Sequence, residues 1–536
     1  MKVKPTSIIF RRFSQGLFLL IFIVLFLHTD YQGQDEISGA VNLLFRFDPL
    51  IALAASLAAR TAIVLVLPAI FLLLSSFLLG RWFCGWACPM GTLLDCARPL
   101  LSRKAGVAPA ALPKLRYILL VIILVGAFFG LPLVGFLDPF AILVRGLSMA
   151  VYPAFGMAVE TFFNLTYNHG PAWLNHLTEP LYQVLRISVL PFDQKVFALS
   201  IPAAAMLISL FLLDLLHRRF FCRYVCPLGA LLGLAARFAP WMIHNRKPSC
   251  TACGQCSDLC RMGAIDQQGQ VNGERCILCM DCVTGCHARQ FTFGRTHRNP
   301  VPVAEGLSRR AFIGTTAGGI ALPFLFAVRP LKLYPEPRLI RPPGTLPEEQ
   351  FLGRCVRCGE CMQVCINNAL HPALLEAGFE GLFTPRLIPR IGYCEYQCTL
   401  CGQVCPTGAI RRLSPSRKQE IAIGRAYLDR NRCLPYAKGV PCIVCEEHCP
   451  TPEKAIRFRE VTTINEIGQE VRVKQPYVVE SLCIGCGICE NKCPLPGRSA
   501  ILVTSEGESR RQPSIEGNGY TLKSPSWKTG TPTDKA

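Results

Sequence analysis

The chain has 536 residues, 51% of them hydrophobic, a mean hydropathy of +0.33 and a formal charge of +20. It is too long for one ordinary domain, and the apolar fraction points to membrane segments. A surplus of basic residues in such a chain reads as cytoplasmic loops of a membrane protein, which sets nucleic acid aside as a partner. The 29 cysteines fall in clusters two or three residues apart. Such close neighbours rarely reach disulfide geometry, so metal binding is the better reading.

In chain order, four stretches approach the roughly 20 apolar residues a bilayer core requires: 13–30, 61–80, 117–136 and 196–216. A fifth candidate, 139–163, carries Arg145 and Pro153. Arg11, Arg12, Arg81, Arg98, Arg103, Lys104, Lys114, Arg116, Arg218, Arg219 and Arg223 all fall on one side if only four stretches span. Counting the fifth would put the last basic group outside, so 139–163 is expected to be interfacial or re-entrant. Residues 1–240 are then a four-span unit with both ends in the cytoplasm.

Its two halves repeat. RWFCGWACPMG at 81–91 matches RFFCRYVCPLG at 219–229, and the pairs Asp48-Pro49 and Asp138-Pro139 recur on the outer side of each half. The motif supplies Cys84 and Cys88, then Cys222 and Cys226, at the cytoplasmic ends of spans two and four. Pseudo-symmetry can bring these four thiols together as a further metal centre or a redox disulfide. Alternatively, Pro89 and Pro227 simply shape two helix ends.

From 241 to 300 the chain turns polar. Cys250, Cys253, Cys256 and Cys260 form C-x2-C-x2-C-x3-C, and Cys276, Cys279, Cys282 and Cys286 repeat it. Three cysteines at i, i+3 and i+6 wrap one [4Fe–4S] cubane while the fourth serves the neighbouring cluster. Crosswise ligation joins Cys286 to the first three and Cys260 to Cys276, Cys279 and Cys282. Residues 301–343 hold SRRAF at 308–312, one Gly- and Ala-rich apolar stretch, and a Pro-rich linker. The arginine pair fits a twin-arginine export signal, a route for cargo that crosses already folded. No good cleavage site follows it, so a fifth span is expected.

Residues 344–505 carry four more quartets: Cys355, Cys358, Cys361, Cys365; Cys394, Cys398, Cys401, Cys405; Cys433, Cys442, Cys445, Cys449; and Cys483, Cys486, Cys489, Cys493. Zinc sites typically use two separated pairs, which these triads are not. Six quartets predict six [4Fe–4S] clusters and leave only Cys96 and the four repeat thiols. No haem, flavin or nicotinamide motif is found. Residues 506–536 read as a disordered tail. The expected fold is an α-helical membrane bundle carrying two α+β regions of bacterial-ferredoxin type.

With these motifs in hand, residues 1–300 resemble NapH, a quinol dehydrogenase membrane subunit, and 305–505 resemble NapG, its exported four-cluster partner. The resemblance implies a fusion of the two in a bacterial inner membrane, with 241–300 cytoplasmic and 344–536 periplasmic. It implies a quinol dehydrogenase component that oxidises membrane quinol and has no terminal reductase site of its own. Electrons would pass to a periplasmic molybdenum reductase, that of nitrate first, or to a small cytochrome c. It further implies nested ligation in the C-terminal region, first quartet with fourth, so that Cys365 serves Cys483, Cys486 and Cys489. The C-x3-C-P repeats are shared with relatives serving nitrous oxide reduction, methylamine oxidation and copper handling. A rival reading is an assembly factor that supplies reductant while a partner's metal centre is built.

Overall fold

A computed structural model describes residues 6–37, 39–101, 112–245, 253–266, 268–286, 290–295, 308–327 and 336–511. Helix α1 (Thr6–His28) is apolar on almost every face and leaves Ile9, Phe13 and Leu20 exposed, the pattern of a helix surrounded by apolar material. By length and composition, Ser7–His28 and Pro139–His169 could cross a membrane. Pro49–Ala59, Val64–Leu79, Ser200–Leu213 and Pro227–Ala236 are shorter apolar helices.

Three expected spans are shorter than the sequence suggests, and of 196–216 only Ser200–Leu213 is regular helix. In 61–80 the chain makes one 3₁₀ turn (Val64–Val66), and a regular helix begins only after Pro68. Proline lacks the N–H that a continuing helix would need. In 117–136 the helix covers Leu112–Phe128 and closes where Gly130 adopts φ 83° and Leu131 N–H bonds the Gly126 carbonyl, a left-handed glycine stop. The helices of the bundle are thus α1, α2 (Pro49–Ala59), α3 (Ala69–Leu79), α4 (Pro89–Leu101), α5 (Leu112–Phe128) and α6 (Pro139–Gly146). After these come α7 (Tyr152–His169), α8 (Ala172–Ser188), α9 (Ser200–Leu213), α10 (Pro227–Ala236) and α11 (Arg309–Ala327).

The two Asp-Pro pairs start the half-helices α2 and α6. Asp48 Oδ1 accepts the N–H groups of Leu50 (2.8 Å) and Ile51 (3.1 Å), and Asp138 Oδ2 accepts that of Ala141 (2.8 Å). An aspartate cap followed by Pro at the first helical position fixes such a start. Both carboxyls are fully buried and touch each other. The expected outer placement of these pairs therefore needs amending: they are tips inserted into the bundle. From Asp138 the chain runs outward again, with Arg145 and Ser148 reaching the C-terminal region and Gly156 lying against Gln194.

A first ferredoxin unit is closed by β1 (Trp241–Asn245) and β2 (Phe291–Arg295), which pair antiparallel. It clamps one end of the bundle through Arg11–Asp281 (2.7 Å) and Arg261–Asp95 (2.5 Å). Tyr117 also donates to Glu274 (2.7 Å), and Trp86 Nε1 to the Leu278 carbonyl (3.0 Å). Gly85 is obligatory there, since a Cβ would fall 2.2 Å from the Ile277 carbonyl oxygen.

The second unit, 336–511, packs on the opposite end. Arg145 Nη1 donates to the Arg357 carbonyl (3.2 Å) and Arg354 to Thr61 (3.0 Å), while a Cβ on Gly135 would fall 2.2 Å from the Val356 oxygen. Helix α1 measures the separation. Arg11 contacts the first unit and the Phe26 carbonyl accepts from Gln363 of the second, an axial distance of about 22 Å. Helix α11 lies along α5, with Gly319 against Ile122 and Val125, a small-residue contact of the kind that brings apolar helices close. Order in the second unit extends past the expected start of the tail, because Arg510 pairs with Glu348 (2.6 Å) and Glu508 (2.7 Å). The remainder of the tail, 512–536, lies outside the described residues.

Candidate iron–sulfur sites

In the first unit, Cys276, Cys279 and Cys282 face Cys260, the crosswise set that the spacing predicts. The Cys260 sulfur accepts the Ala264 N–H (3.2 Å). Cys256 and Cys286 share one apolar cluster and Cys253 is exposed, while Cys250 lies outside the described residues.

The second unit overturns the nested arrangement. Cys355, Cys358 and Cys361 line one cavity with Cys405, and Cys394, Cys398 and Cys401 line another with Cys365. Cys433, Cys442 and Cys445 join Cys493. Cys483, Cys486 and Cys489 face Cys449. Quartets therefore pair first with second and third with fourth, and Cys365 does not serve Cys483, Cys486 and Cys489. The reason lies in the flanking strands. Thr345, ahead of the first quartet, bridges Ile410 behind the second. Likewise β3 (Arg425–Leu428), ahead of the third, pairs with β4 (Ile501–Thr504) behind the fourth. Each pair of quartets is thus a two-cluster ferredoxin closed by its own ends, as β1 and β2 close the first unit.

The thiols fit the clusters that their spacing implies. Backbone N–H groups point at the sulfurs of Cys365, Cys405 and Cys483 (3.3, 3.4 and 3.4 Å), which favours thiolate. Burial, followed by the neighbouring sulfurs, pushes Cys486 up to about 12, and burial does most to raise Cys398 to about 11. These groups surrender protons only when metal binds. Among the described residues no three His, Cys, Asp or Glu side chains converge closely enough for a single ion. The donors stand back around cavities instead, which suits a cubane better than zinc.

The four bundle thiols follow the same plan. Cys84, Cys88, Cys222 and Cys226 line one cavity of ≈ 390 Å³, against ≈ 410, ≈ 380 and ≈ 380 Å³ for the three four-thiol cavities of the second unit. Cys226 caps α10 and accepts the Gly229 N–H (3.3 Å), and Cys88 has the equivalent contact with Gly91. The repeat arginines cross over. Arg81 lies against Gly229 of the other half, and Arg219 donates to the Gly91 carbonyl (2.9 Å). Arg81 is 1% exposed, stands 3.9 Å from the Cys84 sulfur, and makes no ion pair among the described residues. A buried guanidinium without a carboxylate calls for another anion, and four thiolates on a cluster supply it.

The sites follow one another in space. Met262 and Ile277 line the bundle cavity, and together with Ala264 they form an apolar patch that touches Cys84 and Cys222 on one side and Cys260, Cys276 and Cys279 on the other. Towards the opposite end, Cys88, Phe140, Val356 and Cys358 belong to one core, with Phe83 and Phe140 6.1 Å apart. Beyond it, Cys394 N–H bonds the Cys486 carbonyl (2.9 Å), so the cluster site of Cys394, Cys398 and Cys401 adjoins that of Cys483, Cys486 and Cys489. Sequence reasoning used Arg81 and Arg219 only for topology and missed their place beside the thiols. Their conserved position within the two matching motifs was the available signal.

Chained four-cysteine sites of this kind define an iron–sulfur electron carrier. Comparison with known proteins agrees. A 4Fe-4S binding domain model matches residues 61–108 and 197–248, one for each half of the bundle repeat, and another 4Fe-4S binding domain model matches 476–495. The chain is 40% identical over 172 residues to the methylamine utilization ferredoxin-type protein MauM of Methylorubrum extorquens, covering 31% of this chain and 73% of that one. It is 37% identical over 158 residues to the ferredoxin-type protein NapG of Escherichia coli, covering 29% and 66%. Protein NirI of Paracoccus denitrificans is 30% identical over 228 residues, covering 41% and 27%. The chain belongs to this family of ferredoxin-type proteins, in keeping with a fusion of NapH-like and NapG-like parts. No solved structure matches it.

Proposed function

We propose that the chain is a membrane-embedded quinol dehydrogenase component that holds seven clusters, six in the ferredoxin units and one on Cys84, Cys88, Cys222 and Cys226. Quinol oxidised in the bilayer would feed the bundle centre, and the second unit would deliver electrons to a periplasmic reductase, that of nitrate first. The observation that carries the reading is the bundle cavity. Four thiols and two crossed arginines sit between the two ferredoxin units, within one core with Cys358 on one side and beside Cys276 on the other. A bilayer core of ~30 Å is too thick for one efficient tunnelling step, so a midway centre is what a connection across it requires. When bound, the cluster supplies one-electron storage. The chain's own residues would hold it and exclude water from it, and Arg81 and Arg219 would offset its negative charge.

The test uses full-length protein purified anaerobically and treated with a quinol analogue. Clusters of the second unit are expected to be reduced, and Cys88→Ser or Cys226→Ser to slow this severely while those clusters stay in place. If quinol reduces no cluster in any variant, the reading fails. A second reading, with a cytoplasmic donor feeding the first unit, is favoured by Met262 and Ile277 lining the bundle cavity. Under it Cys253→Ser slows reduction by a low-potential electron-donor protein and leaves reduction by quinol unchanged.

A further inference from the structure

On the end of the bundle that holds the first ferredoxin unit, a second, solvent-open cavity is lined by Arg98, Arg218, Arg219, Arg261, Asp95 and Asp214. Four guanidiniums therefore face two carboxylates. Asp95 is spent on Arg219 (2.7 Å) and Arg261 (2.5 Å), and Asp214 accepts the Phe220 N–H (3.0 Å). Arg98 makes neither an ion pair nor a hydrogen bond among the described residues. Burial, with the charges of Arg218 and Arg261, holds it below the usual arginine value. Arg218 spends one N–H on the Asp258 carbonyl (2.8 Å), and its buried Nε has no partner. Two cations are thus left uncompensated, with donors to spare.

We propose that this cavity binds the phosphate of an anionic phospholipid headgroup. Planar guanidinium forks match phosphate oxygens two at a time. Basic pockets at the cytoplasmic ends of membrane helices are where anionic lipid heads bind. The surroundings favour lipid over free phosphate, because Leu212, Leu215 and Leu216 next to Asp214 are 51%, 38% and 60% exposed and offer a seat for acyl chains. The headgroup would join two parts of the molecule. Arg98 and Arg218 belong to the bundle, whereas Arg261 and Asp258 belong to the ferredoxin unit.

The inference rests on the bundle being membrane-embedded, and flotation of full-length protein with vesicles tests that separately. For the site itself, delipidated full-length protein is exposed to phosphatidylglycerol vesicles, phosphatidylcholine vesicles or inorganic phosphate, and bound ligand is counted by native mass spectrometry. Wild type is expected to retain phosphatidylglycerol and not phosphatidylcholine. Arg98→Gln with Arg218→Gln is expected to weaken that retention by about tenfold or more, with iron content and flotation unchanged because neither residue lines a thiol cavity. Retention by the double variant equal to wild type overturns the proposal. Inorganic phosphate that competes as well as the lipid overturns the lipid assignment.

Discussion

Arg81 shows what one side chain contributes. It is buried beside Cys84 and Cys226 and makes no ion pair among the described residues, so its charge acts on whatever electrons the bundle centre carries. Arg81→Gln is expected to lower the potential of that centre, since adding an electron becomes less favourable when a nearby cation is lost. Arg81→Lys, which keeps the charge, is expected to restore most of it. Redox titration followed by EPR reads both, and an unchanged potential in Arg81→Gln would remove the arginine from the account. Glu348 makes a different case. Burial opposes its ionisation, but Arg341 and Arg510 outweigh burial and hold it at about 2, below its ordinary 4.5. A depressed carboxylate stabilises the fold above its unfolded value and loses that contribution as pH falls from about 4.5 towards 2. The Tm deficit of Glu348→Gln, about 2–4 °C per kcal/mol lost, is therefore expected to shrink between pH 6 and pH 3. A deficit independent of pH would mean that the pair is not what the substitution removes.

Among elements, docking depends on two close backbone approaches at opposite ends of the bundle. Gly85 lies under Ile277 and Gly135 under Val356, each with room for no Cβ. Gly85→Ala is expected to loosen the first ferredoxin unit and Gly135→Ala the second. Limited proteolysis of anaerobic protein should show faster cleavage of the unit concerned alone, and equal resistance in both variants would mean that the backbone adjusts. The same level shows how far the sequence was legible. The quartets, the repeat and the crosswise pairing in the first unit follow from cysteine spacing, because ligation geometry is local. Pairing in the second unit does not, because spacing within a quartet leaves open which neighbour supplies the fourth thiol. The deciding residues were short β segments, RAYL at 425–428 and ILVT at 501–504, whose alternation is too brief to stand out from loops. The half-helices were hidden for a related reason. In the sequence Asp48-Pro49 and Asp138-Pro139 stand out only as a recurrence, and packing alone shows that they start helices whose capping carboxyls meet inside the bundle. Asp138→Asn, whose amide oxygen can still accept the Ala141 N–H, should therefore preserve folding better than Asp138→Ala.

For the whole molecule, the question is whether two ferredoxin units at opposite ends of one bundle stand on opposite sides of a membrane. Arg11 and Gln363 mark those ends along α1. The proposed internal export signal would explain how the second unit could reach the far side, because that route carries cargo already folded, with its clusters in place. Helix α11 begins at that arginine pair and lies along α5, so signal and anchor would be one element. Reporters joined after Gly229 and after Arg295 are expected to read cytoplasmic, and one after Ser505 periplasmic. Lys at both 309 and 310 should trap the second unit inside while the bundle still inserts. Iron then separates the topology from the chemistry. Anaerobic protein is expected to hold about 28 irons, and about 24 after Cys226→Ser, since one four-thiol site holds one cubane. The trapped variant should keep the full count, because every cluster is already in place before export. Trapped protein that lacks the irons of the second unit would mean that its clusters are built after crossing, and the folded-cargo argument for a signal at mid-chain would fail with it.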